Sequence, residues 1–126
     1  MELYAENILD HYRNPRNFGL LKGANLKARD VNITCGDKIT MQLKTDAKGK
    51  ISDIKFSGSG CAISQASASM LTEMVKGLTV EKARKVSNDD IYKMLAVPIS
   101  QGRVKCALLS LVTLKKALEK HKKAAK

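Results

Sequence analysis

Hydrophobic and polar positions change their period once along this chain, and the change separates a strand half from a helix half. The clearest alternation runs from Lys38 to Lys44, where Ile39, Met41 and Leu43 interleave with Lys38, Thr40, Gln42 and Lys44. A period of two puts the apolar side chains on one face of an extended segment. A less regular stretch, Leu26 to Ile33, precedes it; Ile51 to Phe56 follows the turn sequence Asp46-Ala47-Lys48-Gly49. Consecutive strands joined this tightly imply an antiparallel meander. Ahead of them, residues 2–13 predict a helix with Tyr4, Ile8, His11 and Tyr12 on one face, stopped by Asn14-Pro15. Asn17 to Gly23 reads as a connecting loop.

Past Gly58-Ser59-Gly60 the spacing becomes helical. Residues 62–76 carry Ile63, Ala66, Met70 and Met74 at helical intervals and end before Gly77. Thr79 can cap a short helix, with Lys82 where a full capping box would have an acid. Ser87 to Leu95 predicts another short helix with Asp89 and Asp90 in its first turn. Pro98 to Gly102 breaks the chain. A final helix, about residues 103–122, lines up Val104, Ala107, Leu108, Leu111, Leu114 and Leu118. The expected fold is α+β: a three-stranded antiparallel sheet with helices on one face, an N-terminal helix and a long C-terminal helix, in a single domain of residues 1–126.

The chain's 126 residues, 44% hydrophobic, suffice for one core without disulfide help. No stretch approaches the roughly 20 apolar residues that span a bilayer, and the N-terminus lacks the pattern of a signal peptide. The expected location is cytoplasmic. The net charge of +11 raises the question of nucleic acid, but residues 115–126 alone hold +5 of it, through Lys115, Lys116, Lys120, Lys122, Lys123 and Lys126 against Glu119. No basic stripe interleaves with aromatics, so the tail is read as the solvated end of a helix and nucleic-acid binding is not expected as the main function.

Three cysteines, an odd number, make a poor disulfide framework. Each stands at a special position. Cys35 lies in the turn Thr34-Cys35-Gly36-Asp37, Cys61 follows Gly58-Ser59-Gly60 where a strand gives way to a helix, and Cys106 opens the last helix. A helix N-terminus favours thiolate, so Cys61 and Cys106 have a physical reason to be reactive. A lone buried cysteine is usually a small hydrophobe. Three at element ends, 26 and 45 residues apart, are poorly explained that way. Asp37 adds a hard oxygen donor, and three sulfurs with one oxygen suit either four-coordinate zinc or an iron–sulfur site. His11 is expected to pack and hydrogen-bond, His121 to face solvent, and Met70 and Met74 to join the core.

Four blocks of the sequence resemble the NifU/IscU-type iron–sulfur cluster scaffold family, with its SufU branch nearest. They are Asp10-His11-Tyr12-Arg13-Asn14-Pro15-Arg16-Asn17, then Thr34-Cys35-Gly36-Asp37, then Gly58 to Met70 around Cys61, and last Arg103-Val104-Lys105-Cys106-Ala107. The resemblance implies that Cys35, Asp37, Cys61 and Cys106 meet at one exposed site. There, a cysteine desulfurase would pass sulfur to Cys106 or Cys61, a transient [2Fe–2S] cluster would form, and apo iron–sulfur proteins would receive it. The SufU-like alternative is a Zn2+-dependent sulfur-transfer protein using the same four residues. Three departures qualify the match. Lys105 replaces the histidine of IscU-type members, Val86 to Gly102 leaves no room for the SufU insertion, and Ile99-Ser100-Gln101-Gly102-Arg103 stands where IscU proteins carry a chaperone-recognition segment. A small structural zinc module would unfold without metal; the apolar pattern of strands and helices argues against such dependence.

Overall fold

The computed structural model describes residues 2–34, 36–96 and 98–124, with the side chains of 2–5 and 122–124 not described. Helix α1 (Glu2–Arg13) leads into strands β1 (Leu26–Asn32), β2 (Asp37–Thr45) and β3 (Ile51–Ser59), followed by α2 (Ala62–Val75), α3 (Val80–Arg84) and α4 (Asn88–Leu95). A single 3-10 turn, Gln101–Arg103, opens into α5 (Val104–Ala124). The strands form an antiparallel sheet in the order β1-β2-β3. This is the expected α+β arrangement.

One face of the sheet is apolar and covered by helices. Leu26 and Ala28 of β1, Ile39, Met41 and Leu43 of β2, and Ile51, Ile54 and Phe56 of β3 are buried against α2 and α5. The other face carries Lys27, Arg29, Lys38 and Lys44, all exposed. Alternation is imperfect in β3 because the register shifts between Lys44 and Thr45, pairing Lys44 with Asp53 and Thr45 with Ile51. That bulge spares one residue, Ser52, and lets Ile51 and Ile54 both point inward. β3 also runs three residues beyond the expected Phe56.

The helices follow their signals closely. Thr79 accepts a hydrogen bond from the Lys82 N–H, 3.2 Å, at the start of α3. Ser87 and Asp90 complete a capping box on α4, with bonds of 3.2 and 2.8 Å, where the sequence had suggested only acids in the first turn. On α5, Ala107, Leu111, Leu114 and Leu118 are fully buried as expected, and Leu109, Ser110, Thr113 and Ala117 widen that face. In α1, Ile8 and His11 are buried, but Tyr12 is exposed: α2 covers only part of the predicted face. Met70 is core and Met74 packs at its edge.

Two tail lysines are not simply solvated. Lys116 Nζ lies 2.9 Å from Asp30 and Lys120 Nζ donates to the Lys27 carbonyl, so α5 is tied to the outer edge of β1. No helix among the described residues is long and apolar enough to cross a membrane.

Candidate metal and cluster site

At one end of the sheet the connections of three elements converge. Asn32, the last residue of β1, pairs across the hairpin with Asp37, the first of β2, and the Gly36 N–H donates to the Asn32 carbonyl at 2.7 Å. Asp37 shares the inward phase of Ile39 and Met41 and is 1% exposed. The β3–α2 connection lies directly against its carboxylate. A Cβ on Gly60, at φ +154°, would stand 2.3 Å from Asp37 Oδ1 and 2.8 Å from Ser64 Oγ, so only glycine permits this approach. Gly58 is equally constrained, since a Cβ there would meet the Lys38 carbonyl oxygen at 2.0 Å.

Cys61 is the N-cap residue of α2, and its side chain makes no capping bond. Its sulfur therefore stays at the positive end of the helix, available to a ligand. Its N–H donates to Asp37 Oδ1 at 2.9 Å, locking strand and helix together. Cys106 sits in the first turn of α5, 1% exposed. Two α2–α5 contacts hold it beside Cys61: Ser67 Oγ donates to the Ala107 carbonyl at 2.7 Å and lies 3.1 Å from Ser110 Oγ. Small residues along α2, with Ala66, Ser67, Ala68 and Ser69 all buried, allow the helices this proximity.

A carboxylate oxygen of Asp37 and the sulfurs of Cys61 and Cys106 all lie within 4.8 Å of one another. Tetrahedral zinc, with bonds of about 2.3 Å to sulfur and 2.0–2.2 Å to oxygen, sets its donors roughly 3.5–3.8 Å apart. A small contraction would close these three around one ion. Asp37 Oδ2 is buried and has no hydrogen-bond partner among the described residues. No ion pair among the described residues involves Asp37. A buried carboxylate oxygen left unsatisfied is costly, and a cation is the partner that removes the cost. The donor set thus fits a metal.

Two hollows flank the site. A groove of about 510 Å³ between the end of β1 and α5 is lined by Val31, Ile33, Val104, Lys105 and Leu108, with Ile33 89% exposed. A second, of about 320 Å³, lies beside Gly60 and is lined by Tyr12, Pro15, Phe18 and Gln65. Cys61 is the half-buried member of the trio, whereas Asp37 and Cys106 are buried. The Cys35 expectation falls on a residue outside those described.

Lys105 is exposed and lines the groove. His11 is buried, its Nδ1 2.8 Å from Ser69 Oγ, and burial lowers its pKa below the ordinary value, with Arg16 lowering it further and Glu73 and Asp10 opposing. It braces α1 on α2, as expected. Sequence reasoning missed Asn32, buried with its side-chain amide 3.9 Å from Cys106 Sγ. The available signal was phase: Asn32 continues the inward positions Leu26 and Ala28, where a polar residue needs a partner.

Residues 3–126 match the family model described as the NifU-like N terminal domain. The iron–sulfur cluster assembly scaffold protein IscU of Haemophilus influenzae is 38% identical over 122 residues, covering 94% of this chain and 95% of that protein. The zinc-dependent sulfurtransferase SufU of Bacillus subtilis is 38% identical, covering 94% of this chain and 91% of its own. That alignment runs over 136 residues, longer than the chain itself, which requires residues in SufU that this chain lacks. A crystal structure from Fervidobacterium islandicum, described as a candidate scaffold for the SUF system, superposes with a TM-score of 0.80 at 30% identity, covering 93% of this chain and 97% of that one.

Proposed function

We propose, for a chain that belongs to the NifU-like N-terminal domain family, the function of an iron–sulfur cluster assembly scaffold that receives sulfur and iron, builds a [2Fe–2S] cluster and gives it up to apo-proteins. The observation that carries this reading is the juxtaposition of Asp37, Cys61 and Cys106 around an unsatisfied carboxylate oxygen. Cys35, two residues before Asp37 in the sequence, is the fourth proposed ligand. Here the cluster is cargo. Sulfur arrives from a cysteine desulfurase: a thiolate of this chain attacks the terminal sulfur of the desulfurase persulfide, a new S–S bond forms, and the desulfurase thiolate leaves. Cys61 and Cys106 are the candidate acceptors. Cys61 is the more open of the two, and Cys106 is buried. The flanking groove, with Ile33 exposed at its rim, is a surface for the donor protein. The proposed setting is the cytoplasm, whose reducing conditions keep the thiols available.

One geometric feature favours a second reading, a zinc-dependent sulfur-transfer protein. The three described donors surround a single point, which suits one ion, whereas a two-iron cluster divides its ligands between two metal centres. Zinc in this site would be held by Asp37 and the cysteines and would keep the thiols deprotonated until sulfur arrives. Anaerobic purification followed by iron, zinc and sulfide analysis separates the readings. The scaffold reading predicts that iron and sulfide add in equal amounts on reconstitution with a desulfurase, cysteine, ferrous iron and a dithiol that reduces the persulfide sulfur to sulfide. Stoichiometric zinc that iron and sulfide never replace, with desulfurase activity still stimulated, supports the second reading instead.

A further inference from the structure

We propose that Asn32 is a positioning residue for Cys106, donating its side-chain amide to the sulfur and thereby setting that sulfur's direction and its donor strength toward the metal or cluster. This rests on the site proposed above and adds a member that is not a ligand. Asn32 Nδ2 lies 3.9 Å from Cys106 Sγ, a separation at which the large sulfur atom still accepts a weak hydrogen bond, 74 residues away in sequence.

Both partners are almost fully buried, Asn32 at 8% and Cys106 at 1% exposed, so water is a poor competitor for the contact. The backbone of Asn32 is fixed independently. Its residue pairs with Asp37 across the β1–β2 hairpin, and its carbonyl accepts the Gly36 N–H at 2.7 Å. One cross-strand pair therefore supplies the site with both a proposed ligand, Asp37, and a donor aimed at another ligand. The groove beside the pair is mostly apolar, and among the described residues the Asn32 side-chain amide donates to Cys106.

A hydrogen bond to a thiolate withdraws electron density from it. Such outer contacts orient ligands and tune both affinity and potential at metal–sulfur sites. Asn32 would make Cys106 the weaker sulfur donor, so that the sulfur on α5 and the carboxylate of Asp37 are the two labile corners of the site. The cross-strand geometry places that lability at one end of the sheet, beside the groove.

The test uses the full chain, with cobalt(II) as the spectroscopic probe. In the apo-protein, Cys106→Ala should move the side-chain amide proton resonances of Asn32 while leaving those of Asn25, which donates to Thr45 at 2.7 Å, in place. Resonances of Asn32 that do not move overturn the proposal. With cobalt bound, Asn32→Leu, of similar volume but without a donor, should shift the sulfur-to-cobalt charge-transfer band to lower energy. Asn32→Gln, which keeps a donor, should restore part of that shift. A purely structural asparagine would lower thermal stability and leave the band energy alone, and that result overturns the proposal. Should Asn32→Leu fail to fold, Asn32→Asp removes the donor at the same shape and must shift the band in the same direction. An unaltered chain that binds no cobalt would overturn the metal site itself. A bound cobalt whose band is indifferent to residue 32 would overturn only the role of Asn32.

Discussion

Asp37 divides its carboxylate between two tasks: Oδ1 accepts the Cys61 N–H, and Oδ2 is buried without a partner among the described residues. The first task fixes the geometry between β2 and α2, and in the proposed scaffold the second would offer a ligand that soft cluster iron holds less firmly than thiolate. Asp37→Ala should therefore lengthen the lifetime of a reconstituted cluster, followed by the decay of its visible absorption in air. An unchanged or shorter lifetime would refute the labilising role. His11 makes a different prediction. Burial lowers its pKa, so the folded chain binds this proton less readily than the unfolded one. Stability is full above the unfolded value, about pH 6.5, and declines as pH falls through the lower folded value. Urea midpoints between pH 7.5 and pH 5 should record this decline, and His11→Gln should flatten it. An equally steep fall in the variant assigns the effect to other groups.

Among the elements, legibility followed exposure of the pattern. β2 was read almost to the residue because it is half-buried, so every second side chain had to be apolar. β3 was cut short at Phe56 because its last residues, Ser57-Gly58-Ser59, pair with Lys38, Ile39 and Thr40 through backbone alone and carry no apolar signal. Its bulge was hidden for a related reason: the inward residues Ile51 and Ile54 are three apart, which strict alternation does not anticipate. The positions of Cys61 and Cys106 at helix starts were visible in sequence. Their depth was not, since it comes from packing α5 on α2 through Ser67 and Ser110, a contact with no local marker. The β3–α2 connection carries a sharper prediction. Gly60→Ala should cost about 1–3 kcal/mol of stability through backbone strain and collision with Asp37, and should weaken zinc binding. Gly102→Ala, which meets nothing within 4 Å, should stay within about 0.5 kcal/mol. Equal effects at both positions in chemical denaturation would remove the special role given to Gly60.

Across the whole molecule, the net charge of +11 proved less diagnostic than its placement. Lys116 and Lys120 bind α5 to β1, so part of the basic tail is structural. The remaining basic residues on the open sheet face, Lys27, Arg29, Lys38 and Lys44, stand away from the inward face that carries Asp37. The cysteines, Asp37 and the family membership together support the proposal of a protein that holds a cluster in order to lose it. The most direct measurement is one anaerobic time course, in which the chain is loaded by a desulfurase with cysteine, ferrous iron and a dithiol reductant and then mixed with an apo-ferredoxin. The account predicts that iron and sulfide leave this chain together and appear on the ferredoxin as an intact [2Fe–2S] cluster, faster than from free iron and sulfide. Iron and sulfide that never load, with Cys35, Cys61 and Cys106 intact, or a loaded cluster that reaches the ferredoxin no faster than the free ions, would contradict it.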